Sequence, residues 1–158
     1  MKSLIDFLQN SLSKMNGEWV DKHSHYEEGL CSSLGINYSK PSRYWDVPWN
    51  QYLLEIKKGT SIWLDVIRYS EQVLKSNNDA SKDTITLFLV PIPAKPKVSI
   101  KEIIVVKTSD IITKLGLNET LAKTYLELPK SLPRQSNFQA SLTLKDIRSI
   151  SSKIINKV

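Results

Sequence analysis

Within YWDVPWNQYLLEIKKG, residues 44–59, an aspartate stands in one short apolar run, and a glutamate with two lysines stands in the next. Acidic residues are disfavoured in β-strands, and a buried carboxylate is costly unless something neutralises it. If Asn50-Gln51 is a two-residue turn, Asp46 falls opposite Glu55, with β-carbons about 5 Å apart on one face. Lys57, two residues on from Glu55, lies on that same face. Two carboxylates held so close repel unless a cation sits between them, and hard divalent ions such as Mg²⁺ favour oxygen ligands. Aspartate, glutamate and lysine converging at one end of a hairpin supply what metal-assisted phosphodiester cleavage needs. The metal polarises the phosphate and acidifies a water, and the lysine positions that water for in-line attack. The competing reading is a cross-strand acid pair on a solvated face, offset by Lys57 and Lys58. Asn-Gln is not a favoured hairpin turn, and Pro48 lacks a ladder donor, which points to an edge strand or a bulge.

The elements that must hold these residues follow from periodicity. Leu4, Phe7, Leu8, Leu12 and Met15 recur at helical spacing, and Asn16-Gly17 ends that helix. A second helix is expected over residues 18–34, with Trp19, Tyr26, Leu30 and Leu34 on one stripe and Gly35 as its stop. The hairpin comes next and closes at Gly59. SIWLDVIRYSEQVLK then reads as a third helix, with Ile62, Trp63, Val66, Ile67, Tyr69, Val73 and Leu74 inward. TITLFLVP and SIKEIIVVK are β-branched runs, hence buried strands, joined by the loop IPAKPK. Thr108-Ser109-Asp110 starts a short helix to Leu115. Asn118 caps another, which Pro129 breaks. NFQASLTL reads as a strand, and a last amphipathic helix runs from about Thr143 to the C-terminus. The expected class is α/β, a central mixed β-sheet flanked by helices.

Asp46, eight intervening residues and then Glu55-Ile56-Lys57, between a preceding helix and a following helix and strand, resemble the signature of the PD-(D/E)xK nuclease superfamily. Trp45 stands where the family's proline usually precedes the aspartate. For a small basic chain, the resemblance is to a type II restriction endonuclease with a restriction-endonuclease-like core. It implies Mg²⁺-dependent cleavage of double-stranded DNA by a homodimer, since each subunit has one site and cuts one strand. It also implies metal ligation by Asp46, Glu55 and the backbone carbonyl of Ile56, with Lys57 as the catalytic lysine. Many members add a glutamate from the first core helix. Of Glu27 and Glu28, Glu27 lies beside the apolar stripe and is the candidate, a solvated helix glutamate being the alternative. The chain then divides into an N-terminal helix (1–17) as a candidate dimerisation element, a catalytic core (18–106), and C-terminal helices and strand (107–158) for DNA recognition. A junction resolvase or repair nuclease of the same superfamily, or a non-catalytic DNA-binding protein, are the competing functions.

Candidate DNA contacts are Arg68 and Gln72 on the helix after E-x-K, and Lys95 and Lys97 in the proline-lysine loop. Arg134, Gln135, Asn137 and Gln139 have side chains that hydrogen-bond base edges in the major groove. His23 and His25 are two apart on a helix, cannot easily share an ion, and read as surface residues. The five glycines are scattered, so no phosphate-binding loop and no nucleotide cofactor is expected. No GxSxG-type nucleophile context occurs.

The net charge of +6 over 158 residues suits a polyanionic partner. Composition is that of an ordinary globular domain, 41 % hydrophobic and 24 % charged. No apolar run is long enough to span a bilayer, and MKSLIDFLQNSLSKM lacks the continuous apolar core of a secretory signal. Cys31, the single cysteine, excludes an internal disulfide and a cysteine zinc cluster and suits a reducing cytoplasm.

Overall fold

The structure, a computed structural model, describes residues 1–15, 19, 25–39, 42–74, 83–93, 99–131 and 138–157. In chain order the elements are α1 (Lys2–Leu12), α2 (Tyr26–Ser33), β1 (Val47–Trp49), β2 (Tyr52–Lys58), β3 (Ser61–Asp65), α3 (Val66–Leu74), β4 (Asp83–Pro91), β5 (Ile100–Lys107), α4 (Thr108–Lys114), α5 (Glu119–Ser131), β6 (Gln139–Thr143), α6 (Leu144–Ser149) and β7 (Lys153–Asn156).

The central sheet is mixed, with order β1-β2-β4-β5-β7. Among the described residues, only β2 and β4 are parallel neighbours. A parallel pair needs a crossover connection, and β3 with α3 supplies it. β4 lies in the middle of the sheet and is buried on both faces, which explains its unbroken apolar run. Ile85, Leu87 and Leu89 pack with Leu4, Leu8, Leu12 and Leu30 of α1 and α2. Phe88 and Val90 pack on the other side with Ile62 and Leu64 of β3, Tyr69 of α3, Ile111 of α4 and Ile147 of α6. This is the expected α/β architecture, a mixed sheet of five strands flanked by helices. No helix among the described residues is long and apolar enough to cross a membrane.

Four boundaries differ from the periodicity reading. Ser61–Asp65 is a strand, not the first turns of a helix: it pairs antiparallel with β6, and its burial alternates with period two. Trp63, expected inside, is therefore 61 % exposed. The final helix stops at Ser149, and Ile154-Ile155 join the sheet edge as β7, paired with Ile104 and Ile103 of β5. β-branched residues beside an open edge gain more as a strand than as a continued helix. α5 runs past Pro129 to Ser131; a proline this close to a helix C-terminus disturbs little of the ladder beyond it. The described part of the second helix is Tyr26–Ser33; of residues 18–24, only Trp19 is described. Trp19 lies against Gly29, where an added Cβ would come within 2.5 Å of its ring, so only glycine fits there.

Candidate active site

The hairpin has the register that the two-residue turn dictates: Val47, Pro48 and Trp49 face Leu54, Leu53 and Tyr52. Asn50 takes a φ of 51°, a left-handed conformation that asparagine tolerates better than most residues. Pro48 needs no special accommodation, because β1 is an edge strand. One step below the last ladder pair, Asp46 N–H donates to Leu54 O at 2.8 Å, and Ile56 N–H donates to Asp46 Oδ2 at 2.7 Å. Backbone and side chain of Asp46 are thus both stitched to the E-x-K strand. Asp46 is 2 % exposed and Glu55 3 %.

Glu55 Oε1 receives two cations, Lys57 Nζ at 2.6 Å and Arg68 Nη2 at 2.7 Å. Burial pushes the Glu55 carboxyl above its ordinary value and the Asp46 charge adds to this; the two cations only partly offset it. Lys57 reaches this oxygen because it is two residues along the same strand. Arg68 reaches it from the first turn of α3, whose start is fixed by Asp65: its Oδ1 accepts the Arg68 backbone N–H at 3.1 Å.

α3 also grips the segment leading into Asp46. Arg68 Nη1 donates to Arg43 O at 3.2 Å, Arg43 pairs with Glu71 at 3.3 Å, and the Tyr44 hydroxyl donates to Glu71 at 3.0 Å. From the other side comes α2. The Tyr26 hydroxyl donates to Ile56 O at 3.5 Å, and Lys58 lies over the Tyr26 ring, 5.0 Å from its centre. Burial raises the Tyr26 phenol, and the charges of Glu27, Asp46 and Glu55 raise it further. Cys31, buried on the same helix, is pushed up to about 12 by burial and by the fields of Asp46 and Glu27. The charges of Glu27 and Asp46 thus both reach this cysteine. Glu28 is 64 % exposed and sits 3.8 Å from His25, out in solvent.

The structure thus brings Asp46, Glu55, Lys57, Ile56 and Arg68 together, with Glu27 within electrostatic reach. Gln72, by contrast, lines a separate depression with Asp83, Thr84 and Lys107, and Gln139 is exposed on β6 opposite Asp65. Lys95, Lys97, Arg134, Gln135, Asn137 and His23 lie outside the described residues. Sequence reasoning missed the Arg43, Tyr44 and Glu71 clamp and the contact of Tyr26 with Ile56. Asp65, a favoured N-cap residue, is a signal in the sequence that could have placed the start of α3 and so the position of Arg68.

As a donor set, the buried carboxylates of Asp46, just before β1, and Glu55, on β2, with the Ile56 carbonyl and a nearby glutamate, are all oxygen donors, the type a hard divalent ion takes. In the arrangement described, Asp46 Oδ2 accepts from a backbone N–H and Glu55 Oε1 from two cations. Among the described residues, no three His, Cys, Asp or Glu side chains are grouped closely enough to hold an ion in that arrangement. Comparison of the chain with protein-family models, with curated proteins and with solved structures finds no match.

Proposed function

We propose that the chain is a Mg²⁺-dependent type II restriction endonuclease with a restriction-endonuclease-like PD-(D/E)xK core, hydrolysing duplex DNA at a specific sequence. The observation that carries this reading is the base of the hairpin. There Asp46 and Glu55 are both buried, Asp46 is bonded to the E-x-K strand at Leu54 and Ile56, and Lys57 pairs with Glu55. The elements around it support the same reading: the E-x-K strand leads through a helical crossover into a parallel neighbour.

Asp46, Glu55 and the Ile56 carbonyl would hold the ion, with Glu27 as a further oxygen donor. The bound ion would supply Lewis acidity to the scissile phosphate and lower the pKa of a water. Lys57, held beside Glu55, orients the attacking water by its ammonium N–H groups and compensates charge on the phosphate. The buried backbone around Asp46 keeps bulk water from the ligand oxygens, which strengthens each electrostatic contact. One site per chain cuts one strand, so a homodimer is the proposed working unit, and the positive net charge supports a DNA partner. A reducing cytoplasm is the proposed setting.

The test is digestion of mixed plasmid and phage DNA with purified protein, with and without Mg²⁺, beside a Lys57→Ala control. Discrete Mg²⁺-dependent bands, absent with the variant, are expected. Cleavage confined to branched DNA would replace the restriction enzyme with a junction resolvase. Absence of cutting on both substrates would leave the buried acid pair as a structural device in a DNA-binding or interaction protein.

A further inference from the structure

We infer that Arg68 is a gate on the metal site: it holds Glu55 in an ion pair that a divalent cation must displace, and once released it turns to a phosphate of the substrate. This rests on the nuclease reading above and deepens it, by making Glu55 and the substrate phosphate compete for one arginine, so that metal and substrate assist each other's binding.

Lys57 Nζ and Arg68 Nη2 both lie on the same oxygen, Glu55 Oε1, at 2.6 and 2.7 Å. An oxygen that coordinates a divalent ion cannot keep two cations at that range, because like charges so close repel strongly. Lys57 is tethered by its own strand. Arg68 arrives from a different element, on a long side chain, and is the one able to leave without moving the hairpin.

Arg68 is also incompletely satisfied where it stands. Its Nε is buried without a hydrogen-bond partner, and its guanidinium lies over the Tyr69 ring, 5.5 Å from the centre. A buried donor without a partner carries a desolvation penalty, so an oxygen-rich ligand within reach offers this side chain a better position. A guanidinium is suited to that ligand, since its fork matches phosphate oxygens bidentately.

The carboxylates of Asp46 and Glu55 are balanced by Lys57 and Arg68, which leaves little field to draw in a divalent ion. Withdrawing Arg68 makes the pocket anionic, and Glu27 adds to that charge from α2. By linkage, whatever draws Arg68 from Glu55 raises metal affinity, and metal binding raises the affinity for a phosphate at Arg68 by the same factor. Arg68 is therefore a positioning residue for Glu55 and a coupling element between the two ligands. Its Nη1 bond to Arg43 O would be given up in the same movement, loosening the strand that leads into Asp46.

The experiment titrates the full chain with Mn²⁺ without DNA, reading the free-ion electron paramagnetic resonance signal, with thermal unfolding as a check on each variant. Arg68→Gln keeps bulk and removes charge; it is expected to bind Mn²⁺ more tightly than the wild type, by on the order of tenfold. Arg68→Lys restores a competing cation and should fall between the two, while Glu55→Gln should lose binding. If Arg68→Gln does not fold, Arg68→Lys carries the test through its intermediate tightening. Equal affinity in the wild type and the folded Arg68 variants, with loss in Glu55→Gln, would overturn the gate and leave the nuclease site standing. Absence of Mn²⁺ binding in the wild type and in every Arg68 variant would overturn both.

Discussion

Glu55 on β2 and Glu102 on β5 stand in the same sheet, each 3 % exposed, and each is met by an arginine from a helix. Their surroundings differ. Glu102 takes Arg148 of α6, whose side chain is 43 % exposed, and the pair sits where β7 closes the sheet edge. One cation answers one carboxylate, and the arginine keeps its contact with water. Glu55 has two cations on a single oxygen, the Asp46 carboxylate close by, and an arginine only 14 % exposed. A glutamate can be buried as a closed pair that secures an edge, or inside a charge cluster whose members can exchange partners. The second arrangement is the one suited to ligand chemistry.

The largest expected difference between the two regions is in activity. Glu55→Gln and Asp46→Asn each remove a proposed metal ligand and should lower Mg²⁺-dependent cutting by about a thousandfold or more. Glu102→Gln should leave cutting unchanged. Gel assays of strand cleavage with the three variants check this. Equal losses at Glu55 and Glu102 would erase the distinction and make both glutamates structural.

How far the comparison could be read in the sequence depends on the range of the interactions. The Val47–Tyr52 hairpin was legible because a two-residue turn fixes its register, which holds as far as Val47 and Leu54; the bonds of Asp46 to Leu54 and Ile56 just beyond it were not. The run Ile103–Val106 was legible as buried strand because no polar residue interrupts it. Trp63 was misplaced because Ile62, Val66 and Tyr69 satisfy a helical period while Ser61–Asp65 also alternates; pairing with β6, far along the chain, decides between them. β7 was lost in the same way: Ile154-Ile155 acquire a strand's geometry only because β5 offers an edge. Arg68 could be picked out as a cation after E-x-K, but its reach to Glu55 depends on β3 intervening and on Asp65 starting α3. The Arg43–Glu71 contact spans two elements and has no local signature.

Stability should distinguish the two arginines next. Arg148→Ala leaves Glu102 buried without its cation and should cost about 1–2 kcal/mol, less than a fully buried pair because Arg148 is partly solvated. Arg68→Ala leaves Lys57 on the same Glu55 oxygen and removes a guanidinium with an unpaired Nε, so its cost should be smaller, about 1 kcal/mol. Urea unfolding of both variants measures the order. A larger loss at Arg68 would mean that this arginine is a structural clamp and not an exchangeable one.

Acidity gives a finer separation. The folded-state pKa of Glu55 is raised above 4.5, so its contribution to stability is complete below that value and is lost as pH rises through the folded pKa. The wild type should therefore lose some stability across that window, and Glu55→Gln should not, by urea unfolding at a series of pH values. Cutting moves the opposite way. It needs the ionised carboxylate, so its acid limb should begin above the ordinary glutamate range.

The smallest effect tests whether the Glu102 region can be loosened by itself. Thr143 caps α6, accepting the Asp146 N–H at 3.2 Å while Asp146 reaches back to the Thr143 N–H at 3.1 Å. The Thr143 hydroxyl, donating to Asp146 Oδ2 at 2.6 Å, then the Thr143 N–H and Lys114, hold the Asp146 carboxyl down at about 2. A depressed carboxylate stabilises the fold above its unfolded value of 3.8, and that contribution is lost as pH falls through about 2. Thr143→Ala opens the cap and should cost about 0.5–1 kcal/mol by urea unfolding. α6 carries Arg148, so the loss should shrink when Arg148 is already alanine, because cap and ion pair then serve the same anchorage. It should be unchanged by Arg68→Gln, since α6 makes no ion pair or hydrogen bond with the Glu55 cluster among the described residues. Coupling of Thr143 to Arg148 and not to Arg68 would show that the two buried glutamates belong to separable parts of one sheet. Coupling to both would mean that the sheet transmits strain from edge to edge, and that the charge cluster at Glu55 is not insulated from the fold around it.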